Sequence, residues 1–182
     1  MHKGVKIGII ITCILLTIPI VVFAVMATPW LILYVGLWMS PDPAKPQTTY
    51  AEFPFEIVYQ IEGETVTVTD VFICEYDGIG INEAVGKYVE WKGYIKSSKK
   101  EEFVLLTDHN VKIICTLGDP KYYMDDPAYD YPMEQGVVPE LIVYEQSGDI
   151  ISSHLLSEEE QARYKIQLIH WEFSAPISNV FE

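Results

Sequence analysis

The stretch "FPFEIVYQIEGETVTVTDVFICEY", Phe53 to Tyr76, decides the fold class. Phe53, Phe55, Ile57, Tyr59 and Ile61 alternate with Pro54, Glu56, Val58, Gln60 and Glu62. A period of two places one apolar row on one face, the pattern of a strand with a single buried side. "EGE" (Glu62–Glu64) reads as a turn, and the run after it is dense in β-branched and aromatic residues that suit a pleated surface. Together the two runs read as an antiparallel hairpin. Asp70 interrupts the second run, and a β-bulge is expected there. Beyond it, "YDGIGIN" (Tyr76–Asn82) carries Asp77-Gly78, a turn signal.

Working outward, "YVEWKGYIK" (Tyr88–Lys96) alternates Val89, Trp91, Gly93 and Ile95 against Glu90, Lys92, Tyr94 and Lys96. "EEFVLLTD" (101–108) and "VKIICTLG" (111–118) follow across short turns, so the three segments read as a meander. "ELIVYE" (140–145) and "IQLIHWEFSAPI" (166–177) are further strands. "SEEEQARYK" is the one helix signal, with Ser157 as N-cap, Glu160 three residues on and acids in the first turn. About seven strands, mostly antiparallel, make an all-β domain, read as an antiparallel β-sandwich. The alternative is a small barrel of the oligonucleotide/oligosaccharide-binding type, because Gly86–Leu117 resembles the first three strands of that fold.

The N-terminal end is of another kind. Ile7 to Met39 contains no charged residue, longer than the roughly 20 apolar residues that span a bilayer. The expectation is an uncleaved transmembrane helix over residues 7–38, kinked at Pro29 or running on as one tilted helix. Val25-Met26-Ala27 resembles a signal cleavage site, but the "TPWLILYVGLW" that follows is too apolar to begin a soluble domain. Trp30, Tyr34 and Trp38 share one helical face, where an aromatic stripe suits the headgroup region. Lys3 and Lys6 precede the span and only Lys45 lies close after it, which places the N-terminus in the cytoplasm and the remainder outside. The organisation expected is a tip and membrane helix over 1–39, a proline-rich spacer over 40–49 and an extracytoplasmic β domain over 50–182.

After Ser40 there are 10 basic and 26 acidic residues, a net charge of −16. That excludes reading the domain as a binder of nucleic acid or of an anionic membrane surface, both of which use basic patches. It admits a cation or a basic partner. Cys74 and Cys115 both lie in apolar phase, as a disulfide or as two buried thiols.

No G-x-S-x-G elbow is present, and a Cys115–His109 pair places the thiol toward the core, where it is inert. His109, His154 and His170 lack metal-ligand spacing. Paired carboxylates such as Glu75 with Asp77 would serve a hydrolase only across a cleft. The densest candidate is "KYYMDDPAYDYP" (121–132). Asp119, Asp125, Asp126 and Asp130 offer oxygens for calcium, the one cofactor the composition suggests, and Tyr122, Tyr123, Tyr129 and Tyr131 offer a platform for a glycan or peptide. The bland alternative packs these tyrosines against the domain and leaves the aspartates in water.

"EFPFEIVYQIEGE", "ICEYDGIG", "YYMDD" and "IHWEFSAPI" together resemble a family of uncharacterised membrane-anchored proteins of clostridia-like Gram-positive bacteria. That resemblance implies one N-terminal anchor and an external domain without assigned activity. The expected role is a membrane-anchored cell-surface binding or accessory module with a protein or glycan partner. The alternatives are a cell-wall-directed hydrolase or transferase using paired carboxylates, and a structural or sensor stalk of a membrane complex.

Overall fold

The computed structural model describes residues 3–129 and 137–182. One helix, α1 (Lys3–Met39), opens the chain and runs unbroken through Pro19 and Pro29. Just before Pro29, the Thr28 hydroxyl donates to the Ala24 carbonyl at 2.7 Å. Eight strands follow among the described residues: β1 (Tyr50–Ile61), β2 (Glu64–Asn82), β3 (Gly86–Ile95), β4 (Phe103–Asp108), β5 (Val111–Cys115), β6 (Leu141–Ser147), β7 (Ile150–Leu155) and β8 (Ile166–Phe173). Two short helices, α2 (Pro120–Tyr123) and α3 (Glu158–Tyr164), lie between them.

The strands form two four-stranded antiparallel sheets, ordered β3-β2-β1-β8 and β4-β5-β6-β7. Phe53, Phe55, Ile57 and Tyr59 are buried, as the alternation requires, and they share one core with Ile113, Cys115 and Val143 of the second sheet. That common core is what makes the pair of sheets a sandwich. Each fully buried side chain of this size contributes about 1.5–3 kcal/mol.

Three expectations are corrected. The β1–β2 register runs from Tyr50↔Glu75 to Ile61↔Glu64 without interruption, so there is no bulge at Asp70. Asp70 instead occupies the same face as Val66, Val68, Phe72 and Cys74, and its carboxylate accepts from its neighbour Val71 N–H and from the Ser97 hydroxyl. β2 also continues through Asp77-Gly78 to Asn82 without the expected turn, and Gly78 takes φ +112, a conformation that favours glycine. The meander does not form either, because β3 and β4 belong to different sheets and the chain crosses between them over residues 96–102. That crossing removes the three-strand basis of the small-barrel alternative. The bulges lie elsewhere, in the β1–β8 pair between Val58 and Tyr59 and in the β4–β5 pair between Val104 and Leu106.

The expected spacer is also shorter. Lys45 and Glu182 exchange backbone hydrogen bonds at 2.8 and 3.0 Å, Gln47 N–H donates to Val180 O, and the Asn179 side chain bonds both the N–H and the C=O of Thr48. Residues 45–49 therefore form part of the β domain. The chain divides into two compact units, one of residues 1–43 with Gly80–Tyr88, the other of residues 44–79 with 89–182.

Candidate functional site

The tyrosine- and aspartate-rich segment closes the core. Asp119 accepts from Lys121 N–H at 2.8 Å and caps α2, with Pro120 at its first position. This single turn points Tyr122, Tyr123 and Met124 inward, all three buried. The Tyr123 ring packs at 4.8 Å from Phe53 and 5.3 Å from Phe72, and its hydroxyl donates to Leu117 O at 2.7 Å. Burial pushes that hydroxyl well above the ordinary tyrosine range. Tyr122 stands edge-on between Tyr123 and Tyr129.

Asp126 is 2% exposed. A buried carboxylate requires hydrogen bonds, and it has two: Ala128 N–H to Oδ1 at 2.8 Å and Trp91 Nε1–H to Oδ2 at 2.7 Å. Of the residues the sequence offers as ligand contacts, Tyr122, Tyr123 and Asp126 thus face inward, and Asp125 and Tyr129 are half-buried. Asp130 and Tyr131 lie outside the described residues. The platform of tyrosines is replaced by core packing, because the Tyr123 ring is spent on Phe53 and Phe72 and the Tyr122 ring on Tyr123 and Tyr129. Among the described residues no three His, Cys, Asp or Glu side chains converge to hold a metal, and the oxygens of Asp126 already accept from N–H groups.

Asp126 acts from behind on a different surface. Its bond fixes the Trp91 indole, which also meets Tyr76 edge-on at 6.0 Å. Trp91, Phe72 and Pro120 line an open groove of 480 Å³ whose polar lining is Asp77, Glu90, Glu101 and Lys92. The floor is Gly93. A Cβ there would lie 2.4 Å from Phe72 Cζ and 2.6 Å from Pro120 Cγ, so only bare backbone fits. The groove holds three carboxylates against one ammonium, and the three acids are exposed to water. Depressions of 660 and 770 Å³ on the flank of α3 are lined instead by long side chains such as Gln60, Gln161 and Lys165, or Glu64 and Arg163.

The sequence reading missed this groove. Its one legible signal was Gly93, a glycine in the inward row of a strand beside Trp91. Cys74 and Cys115, offered as a disulfide, are free and buried thiols, and burial pushes the Cys115 thiol up to about 12, so neither is a nucleophile at neutral pH. Trp30, Tyr34 and Trp38 are all exposed along α1.

Helix, sheets and groove define the class: a two-sheet antiparallel β domain behind an apolar helix long enough to cross a membrane, with an open acidic groove. No protein-family model, curated protein or solved structure matches the chain.

Proposed function

We propose that the chain is a membrane-anchored extracytoplasmic binding module, and that its groove receives a basic segment of a protein partner. The groove's own charge carries this reading: three exposed carboxylates and one lysine around a tryptophan wall and a bare glycine floor. An acidic surface with a rigid aromatic wall favours lysine- or arginine-bearing ligands. Anchoring is supported by α1, where Leu15 to Met39 is apolar on every side and unburied, a composition that suits lipid and not water. The flanking lysines support an N-terminus in the cytoplasm. A binding role suits the groove better than hydrolysis, because glycosidase-type acid catalysis uses a carboxyl shielded from water.

The test uses the full chain in phosphatidylcholine nanodiscs with an oligolysine peptide as probe. Double reversal of Glu90→Lys and Glu101→Lys removes salt-sensitive binding, while the charge-matched double reversal of the exposed Glu159→Lys and Glu172→Lys, which lie outside the groove, retains it. Equal losses from both would mean the peptide senses only net charge and would sink the groove as a site.

A further inference from the structure

The tip of the β2–β3 hairpin belongs to the same compact unit as α1. Lys87 explains why. Its ammonium donates to the Ser40 carbonyl at 2.7 Å and to the Asp42 carboxylate at 2.8 Å, and its side chain is only 13% exposed. Ser40 directly follows Met39, the last residue of α1. Lys87 therefore ties the hairpin tip to the point where the apolar helix ends, two residues past Trp38.

The tip is built to hold its shape. Asn82 Oδ1 accepts from Ala84 N–H at 2.8 Å, Gly86 takes φ +82, and the Tyr88 ring lies so close over Gly80 that a Cβ there would be 2.4 Å from it. Its two large apolar side chains nevertheless point into open space: Val85 is 71% exposed and Ile81 47%. A turn that spends hydrogen bonds on rigidity while exposing valine and isoleucine has apolar surface in want of cover.

We propose that this hairpin tip is a second membrane contact, with Val85 and Ile81 seated in the headgroup layer beside the end of α1. The proposal rests on the reading of α1 as a membrane span. The occupant follows from position. The tip is bonded to the residues immediately after an apolar helix, at the level where Trp38 marks the headgroup region. The lipid is zwitterionic, because the tip carries Glu83 and its one cation, Lys87, is already paired. With a helix and a tip both in the interface, the unit formed by α1 and residues 80–88 meets the lipid at two points.

The experiment places the fluorophore NBD on the full chain in phosphatidylcholine nanodiscs, through Val85→Cys, Val25→Cys or Ile150→Cys in a Cys13→Ser background. The buried Cys74 and Cys115 stay unlabelled. Lipids carrying a shallow or a deep nitroxide report depth. The Val25 label, in mid-helix, is quenched by the deep nitroxide if α1 spans. The Val85 label is expected to be quenched about twofold more by shallow than by deep nitroxide, as for groups about 5–10 Å into the boundary. The Ile150 label, on exposed β7 of the other compact unit, gives the reading of an equally exposed apolar site outside the tip. Adding Lys87→Ala lowers quenching at Val85 and leaves Val25 unchanged. Val25 quenched with Val85 no more quenched than Ile150 overturns the hairpin contact alone. Loss of quenching at Val25 overturns the span itself, and the hairpin contact with it.

Discussion

Two polar clusters in this molecule use nearly the same parts and differ in their surroundings. Asp126 accepts from a ring nitrogen, Trp91 Nε1, at 2.7 Å and from the backbone N–H of Ala128 at 2.8 Å. Glu160 bonds a ring nitrogen, His154 Nε2, at 2.7 Å and accepts from the backbone N–H of Ser157 at 2.9 Å. The first carboxylate is 2% exposed; the second stands at the water-facing start of α3. The same bonds therefore do different jobs. In the buried cluster a lost partner leaves a dehydrated group unsatisfied, whereas at the surface water takes the vacated place. One cluster sets stability and the orientation of Trp91, and the other trims a helix end and answers to pH.

The largest expected effect tests that contrast at its strong end. Asp126→Ala leaves the Trp91 and Ala128 N–H groups without acceptors and opens a small void, a loss of about 3 kcal/mol. Thermal unfolding of the domain followed by near-ultraviolet circular dichroism should fall by roughly 10 °C. Trp91→Phe comes next. It keeps an aromatic ring against Tyr76 but leaves the buried carboxylate with one donor, at about 2 kcal/mol. Because the two residues share one bond, the double variant should cost less than the two losses added, by about 1 kcal/mol or more. Strict additivity would mean that Trp91 and Asp126 do not hold each other, and that the groove wall is positioned by packing alone.

These two residues also show what the sequence made legible. The β1 row Phe53, Phe55, Ile57 and Tyr59 was readable because alternation is a local property, and all four are buried. The cap of α3 was readable for the same reason, since Ser157 and Glu160 are three residues apart and form the full capping box. Trp91 and Asp126 are 35 residues apart, and nothing local announces that they meet. Tyr122 and Tyr123 misled in the opposite direction. Adjacent tyrosines among aspartates look like surface, yet one helical turn at the mouth of the core turned both inward. β7 went unread because "IISSHL" has no buried face and so no contrast to see: all six residues are exposed on a sheet edge. The groove was hidden because its acids come from separate segments: Asp77 and Glu90 from the paired strands β2 and β3, and Glu101 from the crossing between the sheets.

At the weak end of the comparison, Ser157→Ala removes the side-chain half of the capping box, the acceptor for Glu160 N–H and the donor to Glu160 Oε2, at about 1 kcal/mol. Chemical denaturation of this variant should show an unchanged slope and a small drop in midpoint. If the loss equals that of Asp126→Ala, burial is not what separates the two clusters.

The smallest effect is the one only the exposed cluster can show. His154 is held above its ordinary value by the hydrogen bond to Glu160, with Glu145 adding to the pull. Glu160 is held down to about 2, first by the Ser157 backbone N–H and then by His154. A raised histidine stabilises the fold fully below the unfolded imidazole value of 6.5, and that contribution fades as pH rises through the folded value. A lowered carboxylate stabilises above its unfolded value of 4.5, and that contribution is lost as pH falls toward 2. The pair is therefore most favourable between pH 4.5 and 6.5. The stability difference between the natural chain and Glu160→Gln should peak in that window and shrink with added salt, and the His154 imidazole followed by NMR should titrate lower in the variant. The corresponding difference for Trp91→Phe should pass through the window without a maximum, because the indole bonded to Asp126 does not titrate there. A matching peak for both would mean that the two carboxylates feel the same solvent, and that their difference in exposure is without energetic consequence.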